Sequence, residues 1–233
     1  MTPVLFLRAF AAAAAAALCA CQAAYAGRPM VTDDATIADP GNCQLEAWTQ
    51  RPQDQTEYWA MPACRVGGWE LGVGAGRIGP DGAGAYRSHM LQAKTILRPL
   101  EKNGWGLGLT IADQYRQGHG LSGDLAVLAP LSLSLLDDRV LVHLNAGWSR
   151  PQATRRGGAL WAVGTEWAAA GPLTLTLEAY GAQRAHSHAQ AGLHLDVIPD
   201  RLALDAGVGR RLGRGGPERY ATLGLTVAAP VLR

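Results

Sequence analysis

Large apolar side chains recur at every second position over many short stretches of this chain. Trp105-Gly106-Leu107-Gly108-Leu109-Thr110-Ile111 is one, with only Gly or Thr between the apolar residues. Leu173-Thr174-Leu175-Thr176-Leu177-Glu178, Leu193-His194-Leu195-Asp196-Val197 and Leu223-Gly224-Leu225-Thr226-Val227 repeat the pattern. A period of two places alternate side chains on opposite faces of an extended chain, so each stretch predicts a strand with one apolar and one polar face. Stretches of this kind predict about twelve strands. They fall near residues 42–52, 56–66, 69–78, 86–98, 104–116, 122–136, 139–149, 158–169, 173–183, 188–198, 201–211 and 219–229. Roughly ten residues is the length of a tilted strand that crosses a bilayer.

The connections alternate as well. One set is short: Val66–Gly68, Leu100–Gly104, Asp137-Asp138, Gly171-Pro172 and Pro199-Asp200. The other is longer and polar or Gly-rich: Gly79–Ala85, Gln117–Gly120, Arg150–Gly157, Arg184–Ser187 and Leu212–Arg219. Outer-membrane barrels have short periplasmic turns and longer external loops. The expected fold is therefore all-β, an antiparallel up-and-down transmembrane β-barrel with its N-terminus periplasmic. The short first external turn, at Gln53-Asp54, fits this less well. Closure of the last strand on the first is required, because lipid cannot satisfy the polar backbone of an open edge. The competing fold is a soluble sandwich, or a lipocalin-like barrel with an apolar interior.

The beginning of the chain favours the membrane. Arg8 precedes an apolar run, Ala9–Ala20, followed by the small-residue site Ala24-Tyr25-Ala26. This is the layout of a secretory signal peptide. The run is too short for a transmembrane helix. Leu18-Cys19-Ala20-Cys21 offers a second mode of processing, as a lipoprotein carried on Cys21. The expected organisation is a signal peptide over 1–26, a periplasmic N-terminal segment over 27–41 and the barrel over 42–233. The expected location is the bacterial outer membrane, reached through the periplasm. The chain ends in Pro230-Val231-Leu232-Arg233, without the terminal aromatic residue of many such barrels.

Composition agrees with many strands and turns: 29 glycines, 48% hydrophobic and 17% charged residues. The net charge is +2 and no basic block occurs, which argues against nucleic acid as a partner. Of four cysteines, Cys19 and Cys21 lie in the leader. A hairpin centred at Gln53-Asp54 places Cys43 opposite Cys64 and Trp48 opposite Trp59, within reach of a disulfide in an oxidising compartment. Two free buried thiols are the other reading.

The polar strand faces hold the candidate chemistry. Glu46, Glu70, Gln92, Lys94, Arg98, Glu166, Glu178, His194, Asp196 and Asp205 are expected to line the lumen. They would either set the ion preference of a hydrated pore or form a salt-bridged plug. Inward glycines at 72, 74, 106, 108, 207 and 209 leave room and favour a narrow channel. Thr32-Asp33-Asp34 could bind a cation. The preferred reading is that it ties down the N-terminal segment or seals the barrel floor. Trp59, Trp69, Trp105, Trp148, Trp161 and Trp167 near strand ends suit an interfacial aromatic belt. Arg155, Arg156, Arg211 and Arg214, in or beside external loops, are candidates for lipopolysaccharide phosphates, since Arg binds phosphate bidentately; solvated loop charge is the alternative. Ser132, Ser134, His143 and Asn145 share a face, but at the wrong end for outer-leaflet lipid. His186-Ser187-His188 supplies too few ligands for a convincing metal site. No enzyme, metal or cofactor is expected.

Arg28-Pro29-Met30-Val31-Thr32-Asp33-Asp34-Ala35, Gln44-Leu45-Glu46-Ala47-Trp48 and Glu57-Tyr58-Trp59-Ala60-Met61-Pro62-Ala63-Cys64 carry a resemblance. They resemble the MetA-pathway phenol-degradation family of bacterial outer-membrane barrels. The likeness is detailed over residues 28–64 and thereafter rests on strand pattern and length. It implies an outer-membrane barrel with a transport role, linked by name to aromatic catabolism. The expected function is a narrow passive channel for small solutes, small aromatic compounds included. The alternative is a closed structural or adhesive barrel that meets lipopolysaccharide through basic external loops. A lipid-acting enzyme is third. Expected partners are membrane lipid, lipopolysaccharide and solutes in transit.

Overall fold

The computed structural model describes residues 30–118, 123–183, 185–213 and 218–230. The signal-peptide and lipoprotein readings of the leader, and the loop residue Arg214, lie outside the described residues. Twelve strands follow one another: β1 (Asn42–Arg51), β2 (Gln55–Val66), β3 (Trp69–Pro80), β4 (Tyr86–Arg98), β5 (Trp105–Arg116) and β6 (Asp124–Leu135), then β7 (Val140–Arg150), β8 (Gly158–Ala170), β9 (Leu173–Ala182), β10 (His188–Ile198), β11 (Leu202–Arg211) and β12 (Arg219–Pro230). Each pairs antiparallel with the next, and β12 pairs with β1, which closes the barrel. No sheet edge is left open, so the ladder satisfies the backbone of every wall strand.

The two strand faces decide between the rival folds. On β9, Leu177 is 60% exposed while Glu178 beside it is 3% exposed. Val73, Leu193, Val208 and Leu223 share the outer face with Leu177, whereas Glu46, Glu70, Lys94, Thr176 and His194 are buried inside. A soluble barrel of this size would hide its leucines and expose its carboxylates. Here the apolar side chains form the outer wall, an arrangement suited to hydrocarbon rather than water.

The first hairpin has the register that its cysteines and tryptophans predict. Cys43 faces Cys64 and Trp48 faces Trp59. The cysteines form a disulfide with a Cα–Cα distance of 4.0 Å. The two indoles stack, their centroids 5.8 Å apart. Trp59 is therefore not part of an outer belt: it is buried inside the barrel with Met61, Ile78 and Met90. Gly76 makes room for it, since a β-carbon there would stand 2.5 Å from the ring. This glycine does not widen the lumen; its space is filled by indole. Trp69, Trp105, Trp148, Trp161 and Trp167 remain partly exposed on the outside.

Arg98, expected in the lumen, is not there. A register shift between Ile96 and Arg98 inserts one residue and reverses the alternation. Its guanidinium sits 4.0 Å from the centre of the Trp105 ring, and its Nε donates to the Trp105 carbonyl at 3.2 Å.

A second departure concerns residues 27–41, read above as a periplasmic segment. The described part, from Met30, runs inward from the start of β1 and lies within the barrel, with Met30, Thr32, Ala35 and Ala38 buried. It has no strand partner. Its free backbone amides find acceptors on the polar inner wall instead, which meets the requirement that buried N–H groups be paired.

Candidate functional site

The inward segment spans the lumen from one wall to the other. On β3, Glu70 Oε2 accepts the Ala38 amide at 2.7 Å. Six strands away in the ring of twelve, on the opposite wall, Glu178 of β9 accepts three donors. The Val31 amide donates at 3.0 Å, the Thr32 amide at 2.8 Å and the Thr32 hydroxyl at 2.7 Å. Between these ends, Ser132 Oγ accepts the Ala35 amide at 2.8 Å. Asn145 makes a reciprocal pair with Asp33, accepting its amide and donating to its carbonyl, both at 2.7 Å.

Lys94 is the electrostatic centre of the contact. Its Nζ lies 2.7 Å from Asp33 Oδ1 and 2.7 Å from Asp34 Oδ1, and its side chain is 7% exposed. Thr110 Oγ1 donates to the other oxygen of Asp33 at 2.6 Å. Two carboxylates on the segment thus share one buried ammonium from the wall. Thr32-Asp33-Asp34 acts as a fastening, and no group of His, Cys, Asp or Glu suited to a metal occurs among the described residues.

Ser132, His143 and Glu166 stand in line. Ser132 Oγ is 2.8 Å from His143 Nδ1, and His143 Nε2 is 3.1 Å from Glu166 Oε1. This sequence of groups is the one that activates a nucleophilic serine. Here Ser132 is 0% exposed and its oxygen is already occupied by the Ala35 amide. Ser132 therefore holds the segment, with His143 and Glu166 in line behind it.

A cavity of about 510 Å³ continues from the segment toward the rim opposite the start of β1. Met30–Asp34 form one side of it, and residues near the far rim, among them Asp124, Ser149, Ala182 and His186, form its upper lining. Toward that rim, Tyr180 and Tyr220 hydrogen-bond through their hydroxyls at 2.8 Å, and His188 stacks on Tyr180 at 5.3 Å. Lower on the wall, His194 bridges two carboxylates: Nδ1 is 2.7 Å from Asp205 Oδ1 and Nε2 is 3.3 Å from Asp196 Oδ1.

Of the expected lumen residues, Glu46, Glu70, Gln92, Lys94, Glu166, His194 and Asp205 border the cavity. Glu178 sits beneath the segment, and Asp196 beside His194. Of the arginines, Arg155 and Arg156 are exposed in loop 151–157. Arg211 is not displayed outward: its side chain is 17% exposed and pairs with Glu218 at 3.6 Å. Thr110, Ser132 and Asn145 were not singled out from the sequence as contacts of the N-terminal segment. Their inward parity was readable, but not their common partner.

A closed twelve-strand barrel with an apolar outer wall and a polar lumen is a porin-like β-barrel. Solved structures share this fold at low identity. The KdgM porin matches with a TM-score of 0.60 at 8% identity, over 79% of this chain and 98% of that one. The NanC porin matches with the same score, identity and coverage. A structure of "KdgM porin in complex with disordered oligogalacturonate" matches with a TM-score of 0.59. No curated protein matches the chain. The chain belongs to the family described as uncharacterised conserved protein UCP029691, which it matches over residues 14–229. That match does not by itself establish the phenol-degradation family that residues 28–64 resemble.

Proposed function

We propose that this protein is an outer-membrane barrel through which small solutes pass, narrowed from within by residues 30–38. The observation that carries this reading is the lumen itself. It is polar, it holds a cavity of about 510 Å³ reaching one rim, and it is crossed by a segment held through side chains rather than built into the wall. A cavity of that size takes a molecule of a few rings or sugars. The porins with the same fold support passage of small solutes. Met61 and Met90 on the cavity lining support aromatic compounds among them, since methionine sulfur makes favourable contacts with aromatic rings. Export through the periplasm and membership of the phenol-degradation family are part of this proposal.

The second reading is a closed barrel that serves structure or adhesion, with Arg155 and Arg156 set toward lipopolysaccharide phosphates. The observation in its favour is the reach of the segment from β3 to β9. Single-channel recording separates the two. Refolded protein in a planar bilayer is compared with a variant lacking residues 30–38. Discrete steps in the wild type that grow in the variant support the narrowed channel. Silence from inserted wild type, with steps only in the variant, supports the closed barrel.

A further inference from the structure

We propose that the lumen binds small organic cations bearing an ammonium group, held at the inner wall by Asp205 with Thr226 beside it. This deepens the reading of the lumen as a solute path by naming the solute class.

Two independent observations carry it. The first is charge. Among the described residues, seven carboxylates border the cavity, against one lysine, Lys94, and no arginine. That ammonium is already taken by Asp33 and Asp34. A lumen of this sign attracts cations and repels anions before any contact forms.

The second is a carboxylate oxygen and a hydroxyl that are buried without partners. Asp205 is 4% exposed, and only its Oδ1 is engaged, by His194. Its Oδ2 has no hydrogen-bond partner, nor has the buried hydroxyl oxygen of Thr226. Asp205 is opposite Gly224 and Thr226 is opposite Ala203, so the two residues are diagonal neighbours on the inner faces of β11 and β12. Such neighbours stand about 7–8 Å apart with their β-carbons somewhat closer, a gap that one hydrogen-bonding group can bridge. Gly224 between them adds no side chain. On the other side of Thr226 its partner is Glu46 of β1, which, like Asp205, borders the cavity. Buried acceptors left without donors are costly, and an ammonium brings up to three N–H donors and the charge that matches the carboxylate.

The test is titration calorimetry on refolded barrel in detergent, with benzylammonium, benzyl alcohol and benzoate as probes of one shape and three charges. Benzylammonium is expected to bind at least about tenfold more tightly than the other two. Asp205→Asn keeps an oxygen for His194 but sets an N–H donor where the acceptor stood, and is expected to weaken benzylammonium about tenfold or more. Thr226→Val is expected to weaken it about two- to tenfold. If Asp205→Asn loses the heat-modifiable gel mobility of a folded barrel, Thr226→Val and Glu46→Gln carry the test. Equal binding of the three probes, a preference for benzoate, no heat from any probe, or unchanged affinity in the folded variants each overturn the proposal. The channel reading fails separately: ammonium binding in a barrel that never conducts leaves the site standing and removes the path, whereas conduction without ammonium binding does the reverse.

Discussion

Glu178 and Thr32, 146 residues apart in sequence, meet inside the barrel through two bonds to one carboxylate oxygen, from the amide at 2.8 Å and the hydroxyl at 2.7 Å. The contact fixes the leading end of the lumen segment to β9. Glu178→Ala removes these bonds and the one to Val31. Hydrogen bonds to a charged acceptor are worth about 1.5–3 kcal/mol each where buried, so the leading end should detach while the barrel stays closed. Val31→Cys in the Glu178→Ala background should react with a small thiol reagent faster than Val31→Cys alone. Equal rates would mean that the other contacts suffice to hold the segment.

Lys94 should matter more to folding than any other lumen residue. Replacing it by Met leaves Asp33 and Asp34 facing a buried wall without their cation. Breaking one partner of a buried pair costs about 3–5 kcal/mol. Lys94→Met should lower the urea midpoint of unfolding, and Asp33→Asn with Asp34→Asn in the same chain should restore most of the loss. A triple variant no more stable than the single one would contradict the charge argument.

The disulfide closes a loop with a sequence separation of 21. Loop-closure entropy for that length gives about 3 kcal/mol. Cys43→Ser with Cys64→Ser should unfold at lower urea than the oxidised parent and should match the parent after reduction. A double variant indistinguishable from the oxidised parent would show that β1 and β2 pair as firmly without the link.

Two neighbouring substitutions on β9 should part company. Leu177→Arg puts a charge on the outer wall, where the cost at mid-bilayer is about 2–4 kcal/mol. Leu177→Gln should be milder. Folding yield into vesicles, measured by the gel-mobility shift, should fall for the arginine variant and little for glutamine. Equal yields would place Leu177 outside the hydrocarbon.

Gly76→Ala tests the fit around Trp59. The added methyl meets the indole at 2.5 Å, so ring or backbone must move, at about 1–3 kcal/mol. Gly76→Ala with Trp59→Leu should recover the urea midpoint. Loss in the double variant equal to the sum of the two single losses would mean that glycine serves the backbone and not the ring.

The strands were legible because alternation with period two survives wherever one face is an apolar outer wall and the other a polar lumen. The first register was legible because two cysteines and two tryptophans mark it independently. Arg98 was misplaced because nothing in Ile96-Leu97-Arg98 announces an inserted residue, and one insertion reverses every later assignment on that strand end. The lumen segment was only half readable. Thr32-Asp33-Asp34 has the residues of a fastening, but Asn145 and Glu178 lie 112 and 146 positions away, beyond any local pattern. Asp205 was readable as an inward residue; that one of its oxygens lacks a donor follows only from how His194 is turned.

Met30 has a consequence for how the barrel is made. The chain passes from Asn42 into the lumen and reaches Met30 beside Gly164 of β8, whose missing side chain gives the methionine its place. The simplest order of events is that residues 30–41 are laid across the inner wall first and β12 zips onto β1 last, so that the barrel seals around the segment that leads into it.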